Sequence, residues 1–130
     1  MIVVDASAAL EVLLRTTAAA TIEARIFDPS ETLHAPHLID VEVAQVLRRY
    51  LLSGQIDEQR GLVTLQTWLA FPVQRYPHET LLPRAWELRA NVTAYDGVYV
   101  ALAEMLDAPL VTHDARLARA PGHAATIELI

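Results

Sequence analysis

The sequence predicts an α/β domain with a mostly parallel central sheet flanked by helices, built as one domain over residues 1–130. Three observations predict it. Short runs rich in β-branched residues alternate with longer Ala- and Leu-rich stretches, the order that builds strand–helix–strand units. A chain of 130 residues has the length of one domain with one core, and 53% apolar residues is too high for disorder. No linker, low-complexity tract or internal repeat divides it.

Ile2–Val4 is short, apolar and β-branched, which fits a buried strand, and it runs straight into a helical stretch from Ala6 to Arg15. A second helix is expected from Ala18 to Phe27, stopped by Asp28-Pro29, and Leu33–Ala35 reads as a strand. His37 to Ser53 is helical, with Leu38, Val41, Leu47 and Leu51 among its apolar positions, and Gly54 ends it. Asp57 caps the next helix, which reaches Ala70. Val73–Tyr76, fenced by Pro72 and Pro77, is a strand, followed by helices over Leu81–Ala90 and Tyr95–Leu106. Leu110–Thr112 is a strand, Ala115–Ala120 a short helix and Thr126–Ile130 a last strand.

Composition excludes several chemistries. There is no Cys, hence no disulfide, thiolate nucleophile or Cys-ligated zinc. All ten basic residues are arginine, so no lysine serves a phosphate loop, Schiff base or Ser–Lys dyad. Four scattered glycines make no phosphate-binding loop. The net charge of −6 argues at first against a nucleic-acid partner. Met1-Ile2-Val3-Val4-Asp5 lacks the basic start of a signal peptide, and the longest uncharged stretch, Gly61 to Gln74, is too short to span a bilayer. A soluble cytoplasmic protein is expected.

In parallel α/β sheets, sites form outside the carboxyl ends of the strands. Asp5 directly follows the first strand and Asp114 follows Leu110–Thr112, while Glu42 lies early in the helix after Leu33–Ala35 and Asp96 early in Tyr95–Leu106. Each acid also has a plainer reading. Asp5, Ser7 and Asp114 are good helix caps, Thr93-x-x-Asp96 is a capping-box pattern, and Glu42 can be a solvated surface acid. Asp40 competes with Glu42 for the crevice, because residues two apart do not share a helix face. Two carboxylates about 4 Å apart repel by roughly 4 kcal/mol at an effective dielectric near 20. Four converging acids therefore call for shared protons or a divalent cation, and hard oxygen donors without Cys favour Mg²⁺ or Mn²⁺ over zinc. His34-x-x-His37 straddles a junction containing Pro36 and does not present a zinc-binding helix face.

Four segments stand in order along nearly the whole chain: Val3-Val4-Asp5-Ala6-Ser7, then Ala35-Pro36-His37-Leu38 with Glu42-Val43-Ala44 and Leu47-Arg48-Arg49, then Ala94-Tyr95-Asp96-Gly97 through Glu104, and Leu110-Val111-Thr112-His113-Asp114-Ala115-Arg116-Leu117. Together they resemble the PIN-domain nucleases, and among them the VapC-type toxins of bacterial toxin–antitoxin pairs. The resemblance implies a PIN-like three-layer fold. It also implies an acidic quartet of Asp5, Glu42, Asp96 and Asp114, with Asp5, Asp96 and Asp114 as metal ligands for Mg²⁺ or Mn²⁺. Ser7 and Thr112 match supporting hydroxyls, and His113 is a spacer. Such a site implies metal-dependent endonucleolytic hydrolysis of RNA that leaves a 5′-phosphate, with a tRNA or ribosomal loop as the usual substrate class, a cognate antitoxin as partner, and a homodimer. Some family members carry a further acid beyond the third one. Tyr99 and Val100 stand there in this chain, which implies a single metal ion.

Arg48, Arg49, Arg116 and Arg119 are candidates to grip phosphates, against the alternative that they are ordinary helix-surface arginines. Three other functional readings stay open on sequence: a PIN nuclease of RNA maturation, a phosphotransfer domain using Asp5, and an inactive RNA- or protein-binding module whose acids are only caps.

Overall fold

The computed structural model describes residues 1–130. Five strands, β1 (Ile2–Val4), β2 (Leu33–Pro36), β3 (Val73–Tyr76), β4 (Leu110–Thr112) and β5 (Ile127–Leu129), form one sheet in the order β3-β2-β1-β4-β5. All four pairings are parallel, so the mostly parallel sheet expected from sequence is wholly so. Val3 lies between His34 of β2 and Leu110 of β4.

Two helices fill each of the first three crossovers: α1 (Ala6–Leu13) and α2 (Ala19–Ile26), α3 (Leu38–Leu52) and α4 (Glu58–Leu69), then α5 (Leu82–Glu87) and α6 (Ala94–Leu106). The short α7 (Ala115–Ala118) joins β4 to β5. The chain steps outward from β1 to β3, then returns to the other side of β1. Right-handed crossovers thus set α1–α4 on one face and α5–α7 on the other, giving three layers. The direction reverses between β1 and β4, which opens a crevice beyond their carboxyl ends.

Covering on both faces explains the continuous apolar strands: Ile2, Val3, Val4, Leu110 and Val111 are at most 1% exposed. Four of the seven helices, α1, α4, α6 and α7, start where a side chain accepts a free backbone N–H. Asp57 accepts from Arg60 N at 2.7 Å for α4, and Thr93 from Asp96 N at 3.1 Å for α6. Gly54, with φ +77°, turns the chain out of α3 as expected. Several helices are shorter than the sequence suggests: α1 ends at Leu13, two residues before Arg15, and α7 stops at Ala118 ahead of Pro121. Residues His78–Thr80 form a 3-10 turn, Pro83 sits in the first turn of α5, and α5 ends at Glu87. The second helix starts one residue later, at Ala19.

Gly97 was not singled out by sequence. A Cβ at this position would stand 3.0 Å from Ala85 Cβ and 3.2 Å from Ala85 Cα, so glycine is what lets α5 and α6 close up. That contact packs the first turn of α6, which carries Asp96, against α5. No helix is long and apolar enough to cross a membrane.

Candidate active site

The crevice between β1 and β4 is built around Asp5, only 5% exposed. Asp5 Oδ1 caps α1 by accepting Ala8 N–H at 2.9 Å, and it also accepts the Ser7 hydroxyl at 2.7 Å. Oδ2 accepts the hydroxyl of the fully buried Thr112 at 2.5 Å. Both hydroxyls in turn accept backbone N–H groups from the end of β4: Thr112 Oγ1 from Asp114 at 3.0 Å and Ser7 Oγ from His113 at 2.9 Å. The two strand ends are thereby locked through Asp5. Three donors on four lone-pair sites leave Asp5 Oδ2 one further acceptor position. Ser7 and Thr112, the two hydroxyls expected to support the site, both donate to Asp5. His113 contributes its backbone to the lock while its ring meets the carbonyl of Ile130.

Glu42 enters from α3 on the same side. Its Oε1 accepts the Tyr99 hydroxyl of α6 at 2.6 Å. Asp40 does not compete for the crevice. Arg75 Nε donates to its two oxygens at 2.8 and 3.0 Å and Trp68 Nε1 donates at 2.8 Å, so Asp40 ties α3 to β3 and α4. Asp114 caps α7 by accepting Arg116 N–H at 2.8 Å. Its other oxygen and Asp96 Oδ2 accept one nitrogen, Arg116 Nη2, at 3.1 and 2.9 Å. Capping a helix and facing the other acids are therefore not alternatives for Asp5 and Asp114. Each does both.

The charges report the same convergence. Burial pushes the Asp5 carboxyl above the usual range against the pull of its Thr112, Ala8 and Ser7 bonds, and the charge of Asp114 adds to the rise. Burial also raises Glu42, opposed by the Tyr99 bond and reinforced by the charges of Asp5 and Asp96. Tyr99 is held well above an ordinary phenol, chiefly by burial and then by Glu42. Asp5 thus senses Asp114, and Glu42 senses Asp5 and Asp96, so the four segments meet at one place. No three of them stand close enough to cage an ion in this arrangement; the Arg116 guanidinium occupies the space between Asp96 and Asp114.

The candidate arginines part company. Arg49 lines a hollow beside Ser7 and Glu42, whereas Arg48 faces the groove between α3 and α4, away from the acids. Neighbouring residues on a helix point about 100° apart, which separates them. Arg116 is on the acids themselves, and Arg119 is an exposed residue closing α7 with no ion pair. From sequence alone Tyr99 marks only the place of a missing acid. Its spacing of three from Asp96 puts both on one helix face, and Glu42 sits among apolar neighbours that leave it in need of a donor. Both ring nitrogens of His34 are engaged by hydroxyls, of Thr32 and of Tyr76, each at 2.8 Å.

A sequence model of the PIN domain matches residues 2–123. Ribonuclease VapC12 of Mycobacterium tuberculosis is 46% identical over 130 residues, covering 100% of this chain and 99% of the relative. The sarcin-ricin loop cleaving toxin VapC20 of Mycobacterium tuberculosis shares the fold with a TM-score of 0.68 at 15% identity, over 91% of this chain and 93% of its own. VapBC2 from Rickettsia felis, solved bound to a DNA fragment from their promoter, gives a TM-score of 0.71 at 13% identity, over 100% and 99% of the two chains. The fold, the sheet edge that collects the acids and the end-to-end match with a VapC chain agree, and the chain belongs to the PIN-domain family, in its VapC group.

Proposed function

We propose that this chain is the toxin of a toxin–antitoxin pair, a Mg²⁺- or Mn²⁺-dependent endoribonuclease that hydrolyses RNA phosphodiesters and leaves a 5′-phosphate. Asp5, Asp96 and Asp114 would hold the ion, with Glu42 completing the quartet. The observation that carries this reading is the gathering of four carboxylates from four segments at the switch edge of the sheet, around a buried Asp5 that keeps an acceptor position on Oδ2. The donors are hard oxygens throughout, and a cationic guanidinium already rests between two of them, which fits a hard divalent cation. Such an ion supplies an acidified water and offsets charge on the scissile phosphate.

The chain's own residues prepare the site. Thr112 and Ser7 donate to Asp5 and favour its ionised form although it is buried. Tyr99 orients Glu42 toward the crevice and keeps its phenolic proton there. Fixed acceptors of this kind need little rearrangement when substrate arrives. The identity to Ribonuclease VapC12 supports RNA as substrate. A tRNA or ribosomal loop as substrate class and a cognate antitoxin as partner belong to the same proposal, and go with the fold shared with VapC20, a sarcin-ricin loop cleaving toxin, and with VapBC2. A homodimer in the cytoplasm completes the proposal.

The test is cleavage of total RNA by the wild type and by Asp5→Asn, with Mn²⁺, Mg²⁺ or EDTA, followed by mapping of 5′ ends. Discrete metal-dependent cuts bearing 5′-phosphates and absent in Asp5→Asn are expected. Equal cutting in EDTA, or by Asp5→Asn, would show that the acids are only caps.

A further inference from the structure

Four of the ten arginines are committed to ion pairs: Arg25, Arg75, Arg84 and Arg116. Two of the uncommitted ones, Arg49 and Arg60, lie along a trench that begins at the acids. An inner hollow of about 510 Å³ is lined by Ser7 and Glu42 together with Val41 and Tyr95, which are 67% and 65% exposed. An outer hollow of about 450 Å³ reaches Arg60. The two share Ser7, Leu10, Val46 and Arg49, so they form one channel between α1 and α3 with Arg49 at the junction.

Tyr95 directly precedes Asp96 at the start of α6, and its exposed ring is not packed on another aromatic. Arg60 donates from one nitrogen to Leu14 O at 3.2 Å, which leaves its remaining donors free. The single acid on the outer wall, Glu11, is turned onto the Thr16 hydroxyl. In a chain of net charge −6, unpaired cations beside an exposed aromatic and a catalytic-type acid cluster are the footprint of a single strand. Phosphates need the cations, and any unpaired base can pack on the ring.

The structure assigns this trench as the track for single-stranded RNA flanking the scissile phosphate. A base packs on Tyr95 and Val41, and Arg49 then Arg60 engage the phosphates that follow. This rests on the ribonuclease reading above and adds the direction in which the strand leaves the site.

The test uses the full chain in an Asp5→Asn background with Mg²⁺, and a fluorescein-labelled mixed-sequence RNA of about 12 nucleotides. Anisotropy titrations are run over a salt series, and cleavage by the wild type is measured in parallel. Tyr95→Ala is expected to weaken binding about fivefold or more at every salt concentration with the salt slope unchanged. Arg49→Ala and Arg60→Ala each lower the slope by about 0.7. Arg48→Ala, on the far face of α3, binds like its parent. Parental affinity and slope in the Tyr95, Arg49 and Arg60 variants, while the wild type still cuts RNA, overturn the track alone. A chain that neither binds nor cuts RNA overturns the ribonuclease reading as well. Variants that bind RNA normally but no longer capture a co-expressed antitoxin overturn the track in favour of a protein ligand.

Discussion

Thr112 donates its hydroxyl proton to Asp5 at 2.5 Å while accepting the backbone N–H of Asp114 at 3.0 Å, so one side chain sets both the first and the last acid of the site. Thr112→Val keeps the shape and removes both bonds. A buried carboxylate that loses a donor costs about 1–3 kcal/mol, and the released β4 end frees Asp114. Urea denaturation is expected to show a loss in that range, and RNA cleavage to fall at least in step. Thr112→Ser restores the hydroxyl and most of both.

Tyr99 and Glu42 give a second prediction. The phenol is the one side-chain donor on Glu42, at 2.6 Å, and it is a cause lowering a carboxyl that burial otherwise raises. Tyr99→Phe removes that restraint, so Glu42 takes up its proton at higher pH. The acidic limb of the cleavage pH profile should move upward while the alkaline limb stays in place. An unmoved acidic limb would mean that the ionisation of Glu42 does not limit the reaction.

The fold was largely legible because parallel strands covered on both faces leave continuous apolar runs such as Ile2–Val4 and Leu110–Thr112. The placement of Asp5 and Asp114 at one edge of the sheet was legible for the same reason: each lies just beyond a strand end. The choice between Asp40 and Glu42 was not. It is decided by Arg75 and Trp68 on distant segments, which claim Asp40. Which strand neighbours β1 was also hidden, since strand order depends on long-range pairing that leaves no local mark. The roles of Tyr99 and Arg116 depend on contacts across 57 and 20 positions of sequence, and Gly97 matters only through the approach of Ala85.

The raised carboxyls make metal-free stability depend on pH in the less common direction. A carboxyl that binds its proton more tightly folded than unfolded favours the folded state in acid. That advantage is lost as pH climbs from the ordinary carboxylate range through the raised folded value. Glu42→Gln cannot ionise, and it still offers an oxygen to the Tyr99 hydroxyl. In EDTA its melting temperature should exceed the wild type's at pH 8, and the gap should close toward pH 4. A gap that is flat across this range would remove Glu42 ionisation as its cause.

Arg116 stands where the proposed ion would have to compete. Its Nη2 touches Asp96 at 2.9 Å and Asp114 at 3.1 Å, yet the side chain is 65% exposed and solvent screens both pairs. Replacement by Met therefore costs the fold little, while it removes the positive charge that offsets the mutual repulsion of these acids. An incoming Mn²⁺ no longer displaces a guanidinium and meets a more negative site. Calorimetric titration of Arg116→Met should show Mn²⁺ binding several-fold more tightly than the wild type, with urea stability close to unchanged. Weaker binding would instead make Arg116 a clamp that holds Asp96 and Asp114 in position for the ion.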